Sequence, residues 1–168
     1  MSGFDRVIVV DWSASKAPSP KVPSADAIWI AVQVGGQTTC TYHRTRSEAM
    51  DRLCAEFDAA MLVGQRVLAG FDFPFGYPAG FAHAVTGRDD PLVLWADLAG
   101  RIKDAVDNAN NRFEVAGDLN RLFPGVGPFW GCPAAVADTV LPAKGSARHG
   151  HGMAERRKIE TLIASAQP

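Results

Sequence analysis

The segment RVIVVDWSAS, residues 6–15, decides how this chain can fold. Its run of β-branched residues predicts a strand, and a strand without polar alternation is typical of the covered centre of a sheet. The predicted strand runs from Arg6 to Trp12, with Asp11 near its carboxyl end, and a short Ser-Ala-Ser turn follows. The segment therefore predicts a central strand that carries a carboxylate at its carboxyl end.

Two further strands follow along the chain. Residues 27–34 (AIWIAVQV) and residues 37–44 (QTTCTYHR) are rich in strand-forming residues, and Gly35-Gly36 between them is a strong hairpin signal. Consecutive strands that are joined by short links run antiparallel. The first three strands are therefore expected to form an antiparallel sheet.

A helix and a fourth strand come next. Thr45 or Ser47 can cap the helix, and Gly64 ends it. The predicted apolar stripe of this helix consists of Met50, Leu53, Cys54, Phe57 and Met61. The fourth strand covers residues 66–73 (RVLAGFDF), and a strand that returns after a crossover helix pairs in parallel. We expect it to lie beside the first strand.

The second half of the chain is expected to be mainly helical. Gly and Pro residues make residues 124–141 loop-like, and residues 145–152 (GSARHGHG) have the composition of a flexible basic loop. Helices are predicted over residues 78–86, 91–106, 113–123 and 154–166. The prediction is a single α/β domain over residues 1–168, or the N-terminal part of a longer protein.

Composition limits the function classes. Hydrophobic residues make up 47% of the chain and the net charge is −1, which allows a core and gives no overall attraction to nucleic acid. Three cysteines at wide spacings favour neither a disulfide framework nor a structural zinc site. The longest apolar runs fall short of the ~20 residues that a membrane-spanning helix needs. We expect a cytoplasmic protein without a membrane partner.

Asp11 and Asp72 occupy equivalent positions, each at the carboxyl end of a predicted strand and before a turn. Neighbouring strands lie ~4.8 Å apart, so the two carboxylates are expected to share one crevice at the strand ends. Two close carboxylates repel each other unless one takes up a proton or a cation bridges them. Mg²⁺ and Mn²⁺ prefer such oxygen ligands. The structural alternative is that both aspartates merely begin turns.

The segments VIVVDWSAS (residues 7–15) and VLAGFDFPFGYP (residues 67–78) resemble the ribonuclease H-like fold. The second segment is similar to a signature of the ribonuclease H-like proteins of the DUF429 type. The resemblance covers residues 6–80 and implies a mixed sheet of three antiparallel strands, a crossover helix and a parallel fourth strand. It also implies that Asp11 and Asp72 bind a divalent metal for cleavage of a phosphodiester, as in a nuclease.

The superfamily that this resemblance suggests uses a third or fourth acid. Glu48 and Glu56 on the first helix are candidates, and Glu155 near the C-terminus is the one that we assign to catalysis. Glu155 stands beside Arg156 in a histidine- and arginine-rich stretch that can gather around a phosphate, with a histidine as proton shuttle. A mobile surface loop is the structural alternative for this stretch.

A second resemblance involves the turn after the first strand. The segment VDWSAS, residues 10–15, is also similar to the phosphate-binding hairpin of the actin-like kinase and ATPase superfamily. This likeness implies that Ser13 and Ser15, followed by Lys16, hold a phosphate. Tyr77 in the turn after the fourth strand is a further binding candidate, because a base can stack on its ring.

Three functions remain open from the sequence. The first is a Mg²⁺- or Mn²⁺-dependent phosphoester hydrolase or nuclease, which makes nucleic acid or a nucleotide its partner. The second is a non-catalytic nucleotide- or partner-binding module on the same fold, and the third is one lobe of an actin-like phosphotransferase. A homodimer through the edge of the third strand or through the helix over residues 91–106 is a further expectation.

Overall fold

The computed structural model describes residues 3–163. Its strands are β1 (Arg6–Asp11), β2 (Ile28–Val34), β3 (Gln37–His43) and β4 (Val67–Phe71). Its α-helices are α1 (Arg46–Leu62), α2 (Phe81–Thr86), α3 (Pro91–Arg101), α4 (Arg112–Asn120) and α5 (Lys158–Leu162). A short 3₁₀ turn at Ala134–Val136 lies in the long loop between α4 and α5.

The four strands form one mixed sheet in the order β3-β2-β1-β4. β1 pairs antiparallel with β2 and parallel with β4, and β2 pairs antiparallel with β3. The φ angles of Gly35 and Gly36, 57° and 82°, close the β2–β3 hairpin in a conformation that glycine adopts without strain. The α/β class, the antiparallel β1–β2–β3 arrangement and the parallel fourth strand beside β1 are confirmed.

α1 connects β3 to β4 and covers one face of the sheet. Thr45 caps it, because its hydroxyl accepts from the Glu48 N–H while the Glu48 carboxylate accepts from the Thr45 N–H. The buried core between helix and sheet consists of Ile8, Val10, Ile28, Ile30, Val32, Ala49 and Leu53. These side chains hold β1 in the middle of a two-layer structure.

The predicted apolar stripe of α1 is partly wrong. Leu53 is buried and Phe57 packs against the core, as predicted. The other members of the stripe are exposed, namely Met50, Cys54 and Met61. Ala49 and Ala60 are buried instead. Residues four apart share a helix face, so Ala49 and Leu53 face the sheet together. The residues that follow them, Met50 and Cys54, lie on a face that points away from the sheet.

The described residues form two compact units. The first, called the sheet unit here, comprises residues 3–74 and 104–110, and the second, called the helical unit, comprises residues 75–103 and 111–163. The helical unit has its own buried cluster, which consists of Phe81, Leu94, Leu98, Val115, Leu119 and Phe123. Each unit therefore has a hydrophobic core of its own.

Helices occur in the second half where the sequence predicts them, but several are shorter. α2 begins only at Phe81, because the glycine before it has a left-handed φ of 84°. α3 ends at Arg101, since Ile102 is already extended with φ −73° and ψ 124°. The last predicted helix is reduced to Lys158–Leu162, and its part beyond residue 163 lies outside the described residues. Between residues 3 and 163, every helix is too short or too polar to cross a bilayer.

Candidate functional site

Asp11 and Asp72 lie side by side at the carboxyl ends of β1 and β4. The parallel register pairs Val10 with Phe71, and one residue further along it brings Asp11 next to Asp72. The Asp72 N–H donates to Val10 O at 3.2 Å, and the Trp12 N–H donates to Asp72 Oδ1 at 2.9 Å. Both aspartates are exposed to solvent, so neither is locked into a buried ion pair. The parallel pairing of the two strands that carry these aspartates is confirmed, and a shared crevice for the two carboxylates stays a prediction.

The hydrogen bond from the Trp12 N–H orients the Asp72 carboxylate and leaves one of its oxygens available to a ligand. A carboxylate has two oxygens, so Asp72 can accept this bond through Oδ1 and still offer Oδ2 to a cation. The Trp12 ring also lies edge-on to Phe71 and Phe73, with ring centroids 6.4 Å and 6.2 Å apart. These ring contacts hold the residues next to each aspartate, so the backbone that carries the carboxylates is well packed.

The turn after Asp11 folds back on itself through its serine hydroxyls. The Ser15 N–H donates to Ser13 Oγ at 3.3 Å, and the Ser15 hydroxyl donates to Ala17 O at 3.0 Å. Lys16 is exposed between them. Ser13, Ser15 and Lys16 thus lie in the loop that directly follows Asp11, in the same unit as both aspartates.

Arg46 anchors this loop, and sequence reasoning missed it. The Arg46 side chain is only 8% exposed, and its Nη1 donates to Ser13 O at 3.1 Å and to Ser15 O at 2.8 Å. Its Nε and Nη2 form a two-pronged contact with the Asp104 carboxylate, both at 2.6 Å. Bidentate pairs of this kind are the most geometrically specific that arginine makes. The loop after Asp11 is therefore held by a charged side chain from the first turn of α1.

Asn108 completes the anchor. It is 1% exposed, and its Oδ1 accepts from the Arg46 N–H at 2.8 Å. Its Nδ2 donates to Ala17 O and to Arg44 O, at 3.2 Å and 3.3 Å. Its backbone has a φ of 72°, which asparagine tolerates better than most residues. The segment 104–110 thereby closes onto the loop after β1 and the start of α1.

The sequence contained one signal for this anchor. Residues 107–111 read DNANN, and a cluster of Asp and Asn after a helix indicates a turn with left-handed backbone. The predicted helix over residues 91–106 takes in Asp104, which in the structure belongs to the anchor segment and lies beyond the end of α3 at Arg101. Arg46 carried no signal, because a charged residue beside a helix cap is usually solvated.

The two acids proposed on the first helix are committed to other partners. Glu48 caps α1, since its Oε2 accepts from the Arg44 and Thr45 N–H groups at 2.9 Å and 3.3 Å. Glu56 forms ion pairs with Arg6 and Arg52. Neither carboxylate is therefore a good candidate for a third metal ligand. Among residues 3–163, no group of three or more His, Cys, Asp or Glu side chains has the arrangement of a metal site.

The remaining predicted residues belong to the helical unit. Tyr77 and Glu155 both line a cleft of about 240 Å³ in that unit. Burial raises the pKa of the Tyr77 hydroxyl above its usual value. Glu155 contacts Arg148 at 3.4 Å, and Arg156 is exposed. Arg157, the next residue, is paired with Glu160, so its guanidinium already has an anionic partner.

The stretch predicted as a flexible basic loop is a paired element. Val126 and His149 form an antiparallel bridge, with N–H to O distances of 2.8 Å and 3.1 Å. A Cβ on Gly125 would lie 2.2 Å from His149 O, so only glycine allows this approach. His151, two residues further along, is buried, although its sequence neighbours are Gly, His and Arg.

Comparison with known proteins adds no relative. Neither the family models, nor the curated proteins, nor the solved structures contain a match to this chain. The function of this chain is therefore inferred from its own residues and contacts.

Proposed function

We propose that this chain is a ribonuclease H-like, Mg²⁺- or Mn²⁺-dependent phosphoester hydrolase that acts on nucleic acid or a nucleotide. One observation carries the proposal: the parallel β1–β4 register ends in two exposed, adjacent aspartates, Asp11 and Asp72. The order β3-β2-β1-β4 with a crossover helix supports it, because this is the arrangement that the sequence resemblance implies. Carboxylates at the carboxyl ends of strands lie where open α/β sheets bind their ligands.

The donor set fits a hard divalent cation. Mg²⁺ keeps several of its waters and binds proteins through one or two carboxylates, so a pair of aspartates satisfies it without a third acid. Asp72 is oriented for this role by the Trp12 N–H. A divalent cation held by both carboxylates would also offset the repulsion between them. A bound divalent ion supplies charge neutralisation at the phosphate and a water of lowered pKa.

The chain's own residues then hold the substrate. Lys16 lies in the loop directly after Asp11, where a cationic side chain can meet a phosphate oxygen. Arg46 fixes that loop through the carbonyls of Ser13 and Ser15, so the loop need not be ordered when substrate binds. In this proposal Asp11 and Asp72 bind the metal ion, and the loop after Asp11 binds the phosphate.

Metal titration tests the proposal most directly. A ligand that binds only the folded state stabilises it, so Mn²⁺ at about ten times its Kd should raise the melting temperature by about 3–6 °C. Asp11→Asn and Asp72→Asn should each abolish the rise. The amide oxygen of asparagine can still accept from the Trp12 N–H, so Asp72→Asn keeps that local hydrogen bond.

Asp51→Asn is the matched control, because Asp51 is an exposed aspartate on α1 and should leave the metal effect intact. Hydrolysis of a bis-aryl phosphodiester and of a short oligonucleotide, with and without Mn²⁺, then separates catalysis from binding. Metal binding without hydrolysis would replace the enzyme by a nucleotide-binding module. A melting temperature that does not respond to millimolar Mn²⁺ or Mg²⁺ would refute the metal site itself.

A further inference from the structure

The cleft in the helical unit has an aromatic wall built from rings that hold one another in place. Tyr77 stacks on Phe81, with ring centroids 4.8 Å apart and planes at 19°. Phe129 lies edge-on to both of these rings, with centroids 6.1 Å and 5.5 Å away. Trp130 continues the wall and is 49% exposed, so part of its indole is open to a ligand. The part of the wall formed by Tyr77, Phe81 and Phe129 is preformed, because these three rings hold one another.

Polar groups converge on the same cleft. Arg148 lines it, with a side chain that is 23% exposed and a guanidinium carbon 4.6 Å from the Trp130 ring centroid. His151 also lines it and is only 8% exposed. The Met153 N–H donates to His151 Nδ1 at 3.1 Å. A ring that accepts through Nδ1 carries its proton on Nε2, so the imidazole can offer a donor to a ligand.

The charge of these groups selects an anion. Arg148 is a fixed cation with a planar fork of donors, and such a fork matches the two oxygens of a carboxylate. Tyr77 also lines the cleft, and its hydroxyl is a third donor because a phenol with an ordinary pKa near 10 is protonated at neutral pH. Donors from arginine, histidine and tyrosine beside aromatic rings fit a ligand with one anionic group and one flat apolar body.

Glu155 shows which anion Arg148 accepts. Its Oε1 lies 3.4 Å from Arg148 Nη2, while the Glu155 side chain is 71% exposed at the rim of the cleft. This contact is long and solvated, so it is weak. A ligand carboxylate that meets Arg148 inside the cleft gains a less hydrated pair and displaces Glu155. Glu155 therefore acts as a tethered competitor for Arg148.

The size of the cleft limits the rest of the ligand. Pockets for drug-sized molecules enclose roughly 300–1,000 Å³. The cleft encloses about 240 Å³, which suits one ring with one carboxylate rather than a whole nucleotide.

We propose that this cleft is a binding site for a small aromatic monocarboxylate, with the ring against Trp130 and Phe129 and the carboxylate on Arg148 and His151. Binding here does not involve Asp11 or Asp72, because every residue that lines the cleft belongs to the helical unit and none of them is an assigned metal ligand. Glu155 and Tyr77 thereby receive roles other than those expected from the sequence. Binding can be measured without divalent ions, so either proposal can fail alone.

Benzoate is the probe, and a titration followed by ¹H–¹⁵N spectra reports on the Trp130 indole N–H and on the backbone of residues 148–155. A ligand of this size should bind with a Kd of about 1 mM. Benzamide lacks the charge and cyclohexanecarboxylate lacks the π-face, and both should bind at least about tenfold more weakly. Equal binding of benzamide would overturn the proposal, as would tighter binding of phenyl phosphate.

Three glutamine variants provide the sharpest comparison. Arg148→Gln should weaken benzoate binding by about tenfold or more, because it removes the charge that pairs with the carboxylate. Glu155→Gln should tighten it by about 2- to 5-fold, because the tethered competitor is gone. Arg156→Gln makes the same charge change as Arg148→Gln at an exposed neighbour outside the cleft, and should leave the Kd unchanged.

The three variants also guard against a folding artefact. Glu155 and Arg156 are exposed, so their variants should keep the spectrum of the parent protein even if Arg148→Gln disturbs the packing of Trp130. Unchanged or weaker affinity in Glu155→Gln would contradict the competitor role. Equal losses in the two arginine variants would mean that only overall charge matters, and would overturn the site.

Discussion

The two units fix their irregular segments with the same device, a fully buried asparagine. In the sheet unit, Asn108 is 1% exposed and its side chain bonds to the backbone of Ala17, Arg44 and Arg46. In the helical unit, Asn120 is 0% exposed and bonds to backbone groups of other residues. These groups are the N–H and O of Phe129 and the O of Val140. An amide side chain has both donors and acceptors, so one asparagine can satisfy several buried backbone groups.

The two asparagines differ in their backbone and in their charged neighbours. Asn108 has a left-handed φ of 72°, whereas Asn120 is the last residue of helix α4. Asn108 is joined to the Arg46–Asp104 pair, in which the Arg46 side chain is 8% and the Asp104 side chain 36% exposed. In the helical unit, the side chains of the Arg101–Asp97 pair are 39% and 28% exposed. The sheet unit therefore depends on a buried arginine and on an asparagine with left-handed backbone. In the helical unit the buried asparagine is helical, and left-handed positions such as Gly125 and Gly127 are filled by glycine.

Removal of a buried arginine should give the largest effect. Arg46→Met leaves the Asp104 carboxylate and two loop carbonyls without their partner, which should cost about 3 kcal/mol of the free energy of unfolding. Arg101→Met is the matched variant in the helical unit. Arg101 pairs with Asp97 on the surface of α3, with side chains 39% and 28% exposed, so its loss should cost under about 1 kcal/mol.

Urea unfolding followed by far-UV circular dichroism measures both variants. Similar losses for Arg46→Met and Arg101→Met would contradict the role of Arg46 as an anchor. Arg46→Lys separates the charge from the geometry of the guanidinium, because lysine keeps the positive charge but not the planar fork. It should recover only part of the stability that Arg46→Met loses.

Substitution of the two asparagines by alanine and by glycine should sharpen the comparison, because the more destabilising substitute should differ between the two positions. Asn108→Ala loses three side-chain hydrogen bonds and puts alanine at positive φ, for a loss of about 2–3 kcal/mol. Asn108→Gly loses the same bonds but tolerates the backbone, so it should be about 1 kcal/mol less harmful. In Asn120, which is helical, glycine should instead be the worse substitute, by up to about 1 kcal/mol.

Urea unfolding of these four variants measures the difference in stability between the alanine and the glycine variant at each of the two positions. Glycine that is worse than alanine at both positions would mean that the left-handed backbone of Asn108 contributes nothing to its choice. Equal losses for all four variants would point to the side-chain bonds alone.

The sheet was predictable from the sequence because its signals are local. The β-branched run that ends at Asp11, the Gly35-Gly36 turn and the strand before Asp72 each specify their own conformation, and crossover handedness then fixes the parallel pairing. The adjacency of the two aspartates follows from that pairing. The buried face of α1 was not predictable in the same way, because apolar residues occur on two faces and only packing selects Ala49 over Met50.

The anchor and the cleft could not be predicted because they join distant residues. Asn108 and Arg46 are 62 positions apart, and no local pattern brings them together. His151 lies in a stretch whose composition is typical of an exposed loop, yet it is buried. Gly127 explains this, because a Cβ there would come within 3.0 Å of the His151 ring. Such close approaches are decided by tertiary packing, which propensity does not encode.

The third and smallest expected effect is a loss of stability in acid. As the pH falls, this loss should begin with a group of the sheet unit, His43. Burial lowers the pKa of His43 below its usual 6.5, and Arg52 lowers it further against the opposing influence of Glu48. The unfolded chain then takes up this proton at a higher pH than the folded one. The contribution of His43 is present above pH 6.5 and is lost as the pH falls through the lowered pKa of the folded state.

The helical unit offers a contrasting carboxylate. The Leu141 and Val140 N–H groups lower the pKa of Asp138 below 3.8, so its contribution is present above that pH and is lost only in stronger acid. The urea midpoint should therefore decrease in two pH ranges as acid is added, an upper range below pH 6.5 and a lower range below pH 3.8. His43→Gln should flatten the decrease in the upper range and Asp138→Asn that in the lower one. If His43→Gln leaves the slope near pH 6 unchanged, then burial of that imidazole does not couple protonation to folding, and the acid sensitivity of the sheet unit has another source.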